Sequence, residues 1–172
     1  MKLRHILARL LSVSVLTAGA VVAFSASPAR AAECYDVALF NEANRRWVSA
    51  EIGYAGSDNG MLRARATAIG PYERFEICYL STDNYNFSLR SLANNRWVSA
   101  ELGYTGSRYA MLRARATSIG PWEKFSGYAE IQNSGNHRWV SAELGYSGSL
   151  NGMLRARAGT IGPWEDWTSR RL

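Results

Sequence analysis

Lysine is almost missing from this chain of 172 residues: beyond residue 31 the single lysine is Lys124, and 15 of the 16 basic residues there are arginine. Histidine is as scarce, with His5 and His137 alone. A His-centred triad would have to be built on His137, whose counterparts in the repeats described below are Arg45 and Asn95. The two cysteines and that one histidine are too few for a zinc site. No glycine-rich loop followed by a helix offers a phosphate cradle. No stretch beyond residue 31 has useful helical periodicity. The longest apolar run, residues 10–24, falls short of the roughly 20 residues that a spanning helix needs.

That run belongs to a leader. Lys2, Arg4 and Arg9 form a basic start without an acid, and Ala29-Arg30-Ala31 is an A-x-A cleavage signal. Residues 1–31 are therefore read as a signal peptide and 32–172 as the mature domain, secreted and monomeric. A lipid anchor on Cys34 is disfavoured, because Glu33 precedes it where a small residue is needed. Removing the leader lowers the net charge from +6 to +2, since four of the basic residues lie in it. That balance gives no reason to expect nucleic acid as a partner, or a membrane after cleavage. In an exported protein, Cys34 and Cys78 read as a disulfide, the other arrangement being two buried thiols. A loop of this length has a stabilising value of roughly 4 kcal/mol at most in the chain-entropy picture.

What the chain has in abundance is itself. Residues 46–73, 96–123 and 138–165 each read R-W-V-S-A-E-[IL]-G-Y-x-G-S, then M-L-R-A-R-A, then I-G-P-[WY]-E. The second and third copies agree at 22 of 28 positions without a gap. The copies start 50 and then 42 residues apart, and the whole difference lies in the connections. A rigid unit on variable links is a repeat architecture.

W-V-S-A-E-[IL] and M-L-R-A-R-A alternate with period two, the pattern of half-buried strands. The first places Val48, Ala50 and Ile52 on one face and Trp47, Ser49 and Glu51 on the other. A glycine-rich loop joins the two runs into a hairpin, and I-G-P turns the chain. A third run follows (Phe75, Ile77). A fourth precedes each block: Val37 and Leu39, Phe87 and Leu89, and less cleanly Tyr128, Glu130 and Ile131. Four strands in three copies predict an all-β fold of twelve strands, a β-trefoil, with lobes near 32–82, 83–126 and 127–172. Three blades are too few for a propeller.

The combination N-x-R-W-V-S-A-E, L-R-A-R-A and I-G-P-W-E-K-F resembles the fascin-like β-trefoils over nearly the whole mature chain. The resemblance implies the trefoil. It implies either actin bundling, as in cytoskeletal members, or carbohydrate binding with one site per lobe, as in secreted bacterial relatives. Two departures stand out: no catalytic domain accompanies the repeats, and Tyr72 stands where the other copies have Trp122 and Trp164.

Catalysis finds little support. Glu51, Glu101 and Glu143 repeat, as do Glu73, Glu123 and Glu165, yet a glycosidase needs two carboxylates in unlike environments, and threefold repetition makes them alike. A binding role is expected instead, with no cofactor and no metal. Trp47, Trp97 and Trp139 should face outward beside Glu51, Glu101 and Glu143, an indole for a sugar's C–H face and a carboxylate for its hydroxyls. Asn44, Asn94 and Asn136 are secondary candidates through their amides, and Trp122 and Trp164 through their rings. Against each stands a structural role: cross-strand pairing of Glu51 with Arg63 or Arg65, turn formation by the asparagines, and lobe packing by the tryptophans. The six arginines of L-R-A-R-A could form a cationic ring, but an ion-paired solvated face is the preferred reading. The expectation is a secreted lectin-like protein with up to three equivalent glycan sites, whose combined avidity holds a polysaccharide. The alternative is a protein-binding module, either a protease inhibitor or a fascin-like filament binder.

Overall fold

A computed structural model describes residues 33–80 and 85–172. The predicted signal peptide and the boundary between the first two lobes lie outside the described residues. Twelve antiparallel strands follow in order: β1 (Cys34–Asn41), β2 (Arg46–Glu51), β3 (Met61–Ala66), β4 (Phe75–Tyr79), β5 (Asn86–Ser91), β6 (Arg96–Ala100), β7 (Leu112–Ala116), β8 (Phe125–Gly127), β9 (Ile131–Asn133), β10 (Arg138–Glu143), β11 (Met153–Ala158) and β12 (Trp167–Arg171). They form one pseudo-threefold, β-trefoil-like ring.

Each 28-residue copy supplies a hairpin (β2–β3, β6–β7, β10–β11) and an I-G-P turn. The strands flanking each hairpin build the wall. There β12 pairs β1, β1 pairs β4, β4 pairs β5, β5 pairs β8 and β8 pairs β9. Between β12 and the chain just before β9, the Trp167 amide donates to the Ala129 carbonyl at 2.8 Å. The fourth run of the last copy is shorter than its pattern suggested. Tyr128 and Glu130 lie in a bend before β9, because the tight return at Gly127 (φ 118°) interrupts pairing.

The predicted inward residues are the core. Val48, Ala50, Val98, Ala100, Val140 and Ala142 are buried with Leu62, Leu112 and Leu154, and with Phe75, Phe125 and Trp167. Burying such side chains stabilises by roughly 1.5–3 kcal/mol each. A second cluster closes the hairpin end, where Met61, Met111 and Met153 meet under Tyr54, Tyr104 and Tyr146. The cysteines are bonded: Cys34 and Cys78 face each other on β1 and β4 and form the disulfide.

Around those methionines the lobes interlock in a cycle. Arg63 donates to the Asn151 carbonyl from Nε (2.9 Å) and Nη2 (2.7 Å), to Gly148 from Nη2 and to the Tyr54 hydroxyl from Nη1. Arg113 donates likewise from Nε to Asn59, Nη2 to Gly56 and Nη1 to Tyr104, and Arg155 to Tyr109, Gly106 and Tyr146. Each arginine thus satisfies carbonyls in the loop of another copy. Half of the L-R-A-R-A arginines are therefore neither a cationic ring nor a solvated ion-paired face. They are interlobe clamps.

Candidate functional site

The outward face of the hairpins differs from the alternation pattern at one point. Trp47 pairs with Ala66 and Val48 with Ala64, so Arg65 is an extra residue on its strand. The same bulge recurs at Trp97 and Trp139, with Arg115 and Arg157 as the extra residues. A bulge re-aims its side chain. Here it swings each arginine over the neighbouring carboxylate. Arg65, Arg115 and Arg157 clasp Glu51, Glu101 and Glu143 through both oxygens, with Nη2 to Oε2 at 3.0, 2.8 and 2.7 Å. The expectation that these glutamates face solvent is corrected: they are 5%, 1% and 2% exposed. The guanidinium is the open partner. Its hydrogen bond to the carboxylate holds the pKa of Arg65, Arg115 and Arg157 above the ordinary arginine value.

The asparagine amides are occupied as well. Asn44, Asn94 and Asn136 donate from Nδ2 to the carbonyls of Ala64, Ala114 and Ala156 at 2.8, 2.8 and 2.7 Å. They fix the turn after β1, β5 and β9. The next residues, Arg45, Asn95 and His137, all take positive φ there, from 54° to 57°. His137 is an exposed turn residue.

Trp47, Trp97 and Trp139 are half-buried, and their cross-strand neighbours differ. Trp47 packs against Phe40 (centroids 4.8 Å apart). Trp97 lies under the Arg90 guanidinium at 5.4 Å. Trp139 pairs with Gln132. The three indoles are therefore alike in sequence and unlike in surroundings.

The I-G-P turns carry the more open aromatics: Tyr72 is 54% exposed, Trp122 and Trp164 are 39%. In each turn the carboxylate is structural. Glu73, Glu123 and Glu165 accept the amide of Gly70, Gly120 and Gly162 at 2.8 Å. Two turns are clasped from outside. Asn133 donates to the carbonyls of Trp122 and Lys124, and Asn41 to those of Trp164 and Asp166. The equivalent residue at the first turn is Ser91, too short to reach, and its hydroxyl has no partner. The second-turn ring also lies close to glycine backbone, Trp122 Cη2 against Gly103 and Cδ1 against Gly135, and Trp164 Cη2 lies against Gly145. A Cβ at Gly53, in the first copy, would meet nothing within 4 Å.

Two hollows flank that unclasped first turn. The larger, about 1020 Å³, is lined by Trp47, Ile69, Pro71 and Leu92, with Asp36, Arg74 and Arg170 as charged groups. The smaller, about 270 Å³, is bounded by Tyr72, Tyr54 and the Arg65–Glu51 pair. Pro71 lines one and Tyr72 the other, so the turn stands between them. Asp36, Arg74 and Arg170 were not among the sequence candidates, because they lie outside the repeated positions. Tyr72 was visible as a departure from the repeat.

No family model matches the chain, and no curated protein does. Solved structures do resemble it. ThreeFoil, a designed 3-fold symmetric protein, superposes with a TM-score of 0.65 at 13% identity, over 80% of this chain and 99% of that one. The Rhizoctonia solani agglutinin gives 0.63 at 9% identity, over 81% and 96%. A mosquitocidal holotoxin gives 0.65 at 10% identity, and there the match covers 81% of this chain but 17% of the toxin's. At such identities the likeness shows the fold. Among the described residues, no helix is long and apolar enough to cross a membrane.

Proposed function

We propose that this is an exported carbohydrate-binding protein, without catalytic activity, whose principal site is the pair of hollows on the first lobe. The observation that carries the reading is the Trp47 hollow. A half-buried indole, flanked by Ile69, Pro71 and Leu92, meets one carboxylate and two guanidiniums in a space of about 1020 Å³. An apolar lining with a few convergent polar groups is the general form of a ligand site. The indole suits the C–H face of a sugar ring, and Asp36, Arg74 and Arg170 supply an acceptor and donors for its hydroxyls. Two hollows on either side of one turn suit a polymer better than a monosaccharide.

The agglutinin's name supports a glycan ligand on this architecture. The leader motif and the disulfide support export. The engagement of all six repeated carboxylates, three by arginine and three by backbone amides, supports binding without hydrolysis. Trp97 with Arg115 and Glu101, and Trp139 with Arg157 and Glu143, form weaker sites in this proposal, the arginine and not the glutamate making the contact.

The test is retention of the mature protein on insoluble β-glucan, xylan, chitin and mannan. Native protein is retained on at least one. Trp47→Ala and, separately, Arg74→Ala lower retention by roughly tenfold or more, a loss of 1.4 kcal/mol, with the fold intact by circular dichroism. Absence of retention on all four polymers, or undiminished retention by both variants, overturns the proposal.

A further inference from the structure

The third lobe carries a hollow of a different kind. It arises from the eight residues by which the second connection is shorter than the first. Counting back ten residues from Trp47, Trp97 and Trp139 reaches Val37, Phe87 and Ala129. Val37 and Phe87 are buried wall residues of β1 and β5. Ala129 lies in the bend between β8 and β9 and is exposed. The neighbouring strands are truncated with it. β8 and β9 have three residues each, against five and six in β4 and β5. The wall is left low beside β12, and a space of about 340 Å³ opens there.

Its floor is apolar: Leu39, Ile77, Phe87, Ile131 and Trp167. The hydroxyl-bearing residues Tyr79, Tyr128, Thr168 and Ser169 also line it. The Trp167 indole is already committed, donating to the Val140 carbonyl at 3.0 Å. The Thr168 hydroxyl is bound to Glu42. Burial raises the Tyr79 pKa above its ordinary value. Among the described residues, no charged side chain lines this space, which sets it apart from the Trp47 hollow.

We propose that this seam hollow binds a small aromatic molecule carrying one hydroxyl, with its rings on the Phe87–Trp167 floor and its hydroxyl at the rim. The size fits: a cavity of about 150 Å³ holds benzene, so this one has room for two fused rings. The site is independent of the glycan reading.

The probe is 2-naphthol, followed by saturation-transfer NMR and calorimetry on the mature protein. Saturable one-to-one binding with a Kd of about 1 mM or tighter is expected. Ala129→Phe restores at this position the ring that Phe87 supplies in the second copy. It fills the hollow from its rim, abolishes binding, and leaves the melting temperature equal or higher. Trp47→Ala leaves naphthol binding unchanged. A native protein that fails to bind 2-naphthol saturably, or an Ala129→Phe variant that folds and binds it as well as native, overturns the proposal. If the phenylalanine variant does not fold, Ser169→Leu, at an exposed position on the same rim, gives the same two outcomes.

Discussion

The hairpin end and the wall end of this molecule treat the same repeat in opposite ways. At the hairpin end the three copies do identical work. Met61, Met111 and Met153 meet one another, and Arg63, Arg113 and Arg155 each reach two carbonyls in the loop of another copy. At the wall end the copies diverge. The first has the disulfide and an unclasped turn, and the last has truncated strands. Both proposed sites lie where the repeat is broken. A symmetric part gives a rigid frame, and the departures from symmetry give it surfaces that differ.

The harshest way to separate the two ends is to cut the staple. Replacing Cys34 and Cys78 by serine should lower stability by up to ~4 kcal/mol in urea denaturation, with the loss of hydrogen-exchange protection concentrated in β1 and β4. Equal loss across the hairpins would mean that the ends are not separable. Next comes the clamp. Arg155→Ala leaves the Tyr109 and Gly106 carbonyls without their donor and should cost about 3 kcal/mol. Arg113→Ala, at a more open position, should cost less, and a reversed order would undo the picture of equivalent clamps graded by burial.

A gentler test restores symmetry. Ala110 sits at φ 58° where the other copies have Gly60 and Gly152. A Cβ at those glycines would lie 2.7 and 2.6 Å from the Ala114 and Ala64 carbonyl oxygens. Left-handed backbone is unfavourable for alanine by roughly 1–2 kcal/mol, and glycine's greater unfolded-state entropy cancels part of that. Ala110→Gly should therefore stabilise by about 0.5 kcal/mol in the urea midpoint, and a destabilised variant would show that the strain is relieved locally.

A comparably small effect is expected at a link that two copies share and the third lacks. Arg108 pairs with Asp58 at 2.6 Å, and the corresponding residue of the last copy is Leu150. The hydrogen bond from Arg108 holds the Asp58 pKa below its ordinary value. A depressed folded-state pKa gives stability that is present above the ordinary carboxylate value and lost as pH falls through the lower one. Asp58→Asn should cost under ~1 kcal/mol at neutral pH and nothing once the carboxyl is protonated in both states. A cost that persists in acid would assign the effect to packing.

Much of the frame was legible along the chain. The alternation of W-V-S-A-E and M-L-R-A-R-A placed the hairpins and their core residues, because a strand buried on one face has to repeat every second residue. A cross-strand partner for Glu51 was legible for the same reason, and the pairing of Cys34 with Cys78 from an even cysteine count behind an export leader. The burial of Glu51, Glu101 and Glu143 was not. It depends on a bulge that adds Arg65, Arg115 or Arg157 to the ladder, and a period-two pattern carries no mark of an extra residue. Nor were the amides of Asn44, Asn94 and Asn136 seen to be spent, since their partners lie 20 residues further on.

By itself the sequence determined a thrice-copied β unit, its hairpins, its core face and its one covalent tie, all of which follow from local periodicity and cysteine count. The tertiary structure decided which arginines clamp and which pair, how the surroundings of three identical tryptophans differ, and where the wall stays low. Those outcomes turn on contacts between copies far apart along the chain, 88 residues for Arg63 with Asn151 and 125 for Asn41 with Asp166, and identical copies acquire different surroundings as soon as the connections between them differ in length.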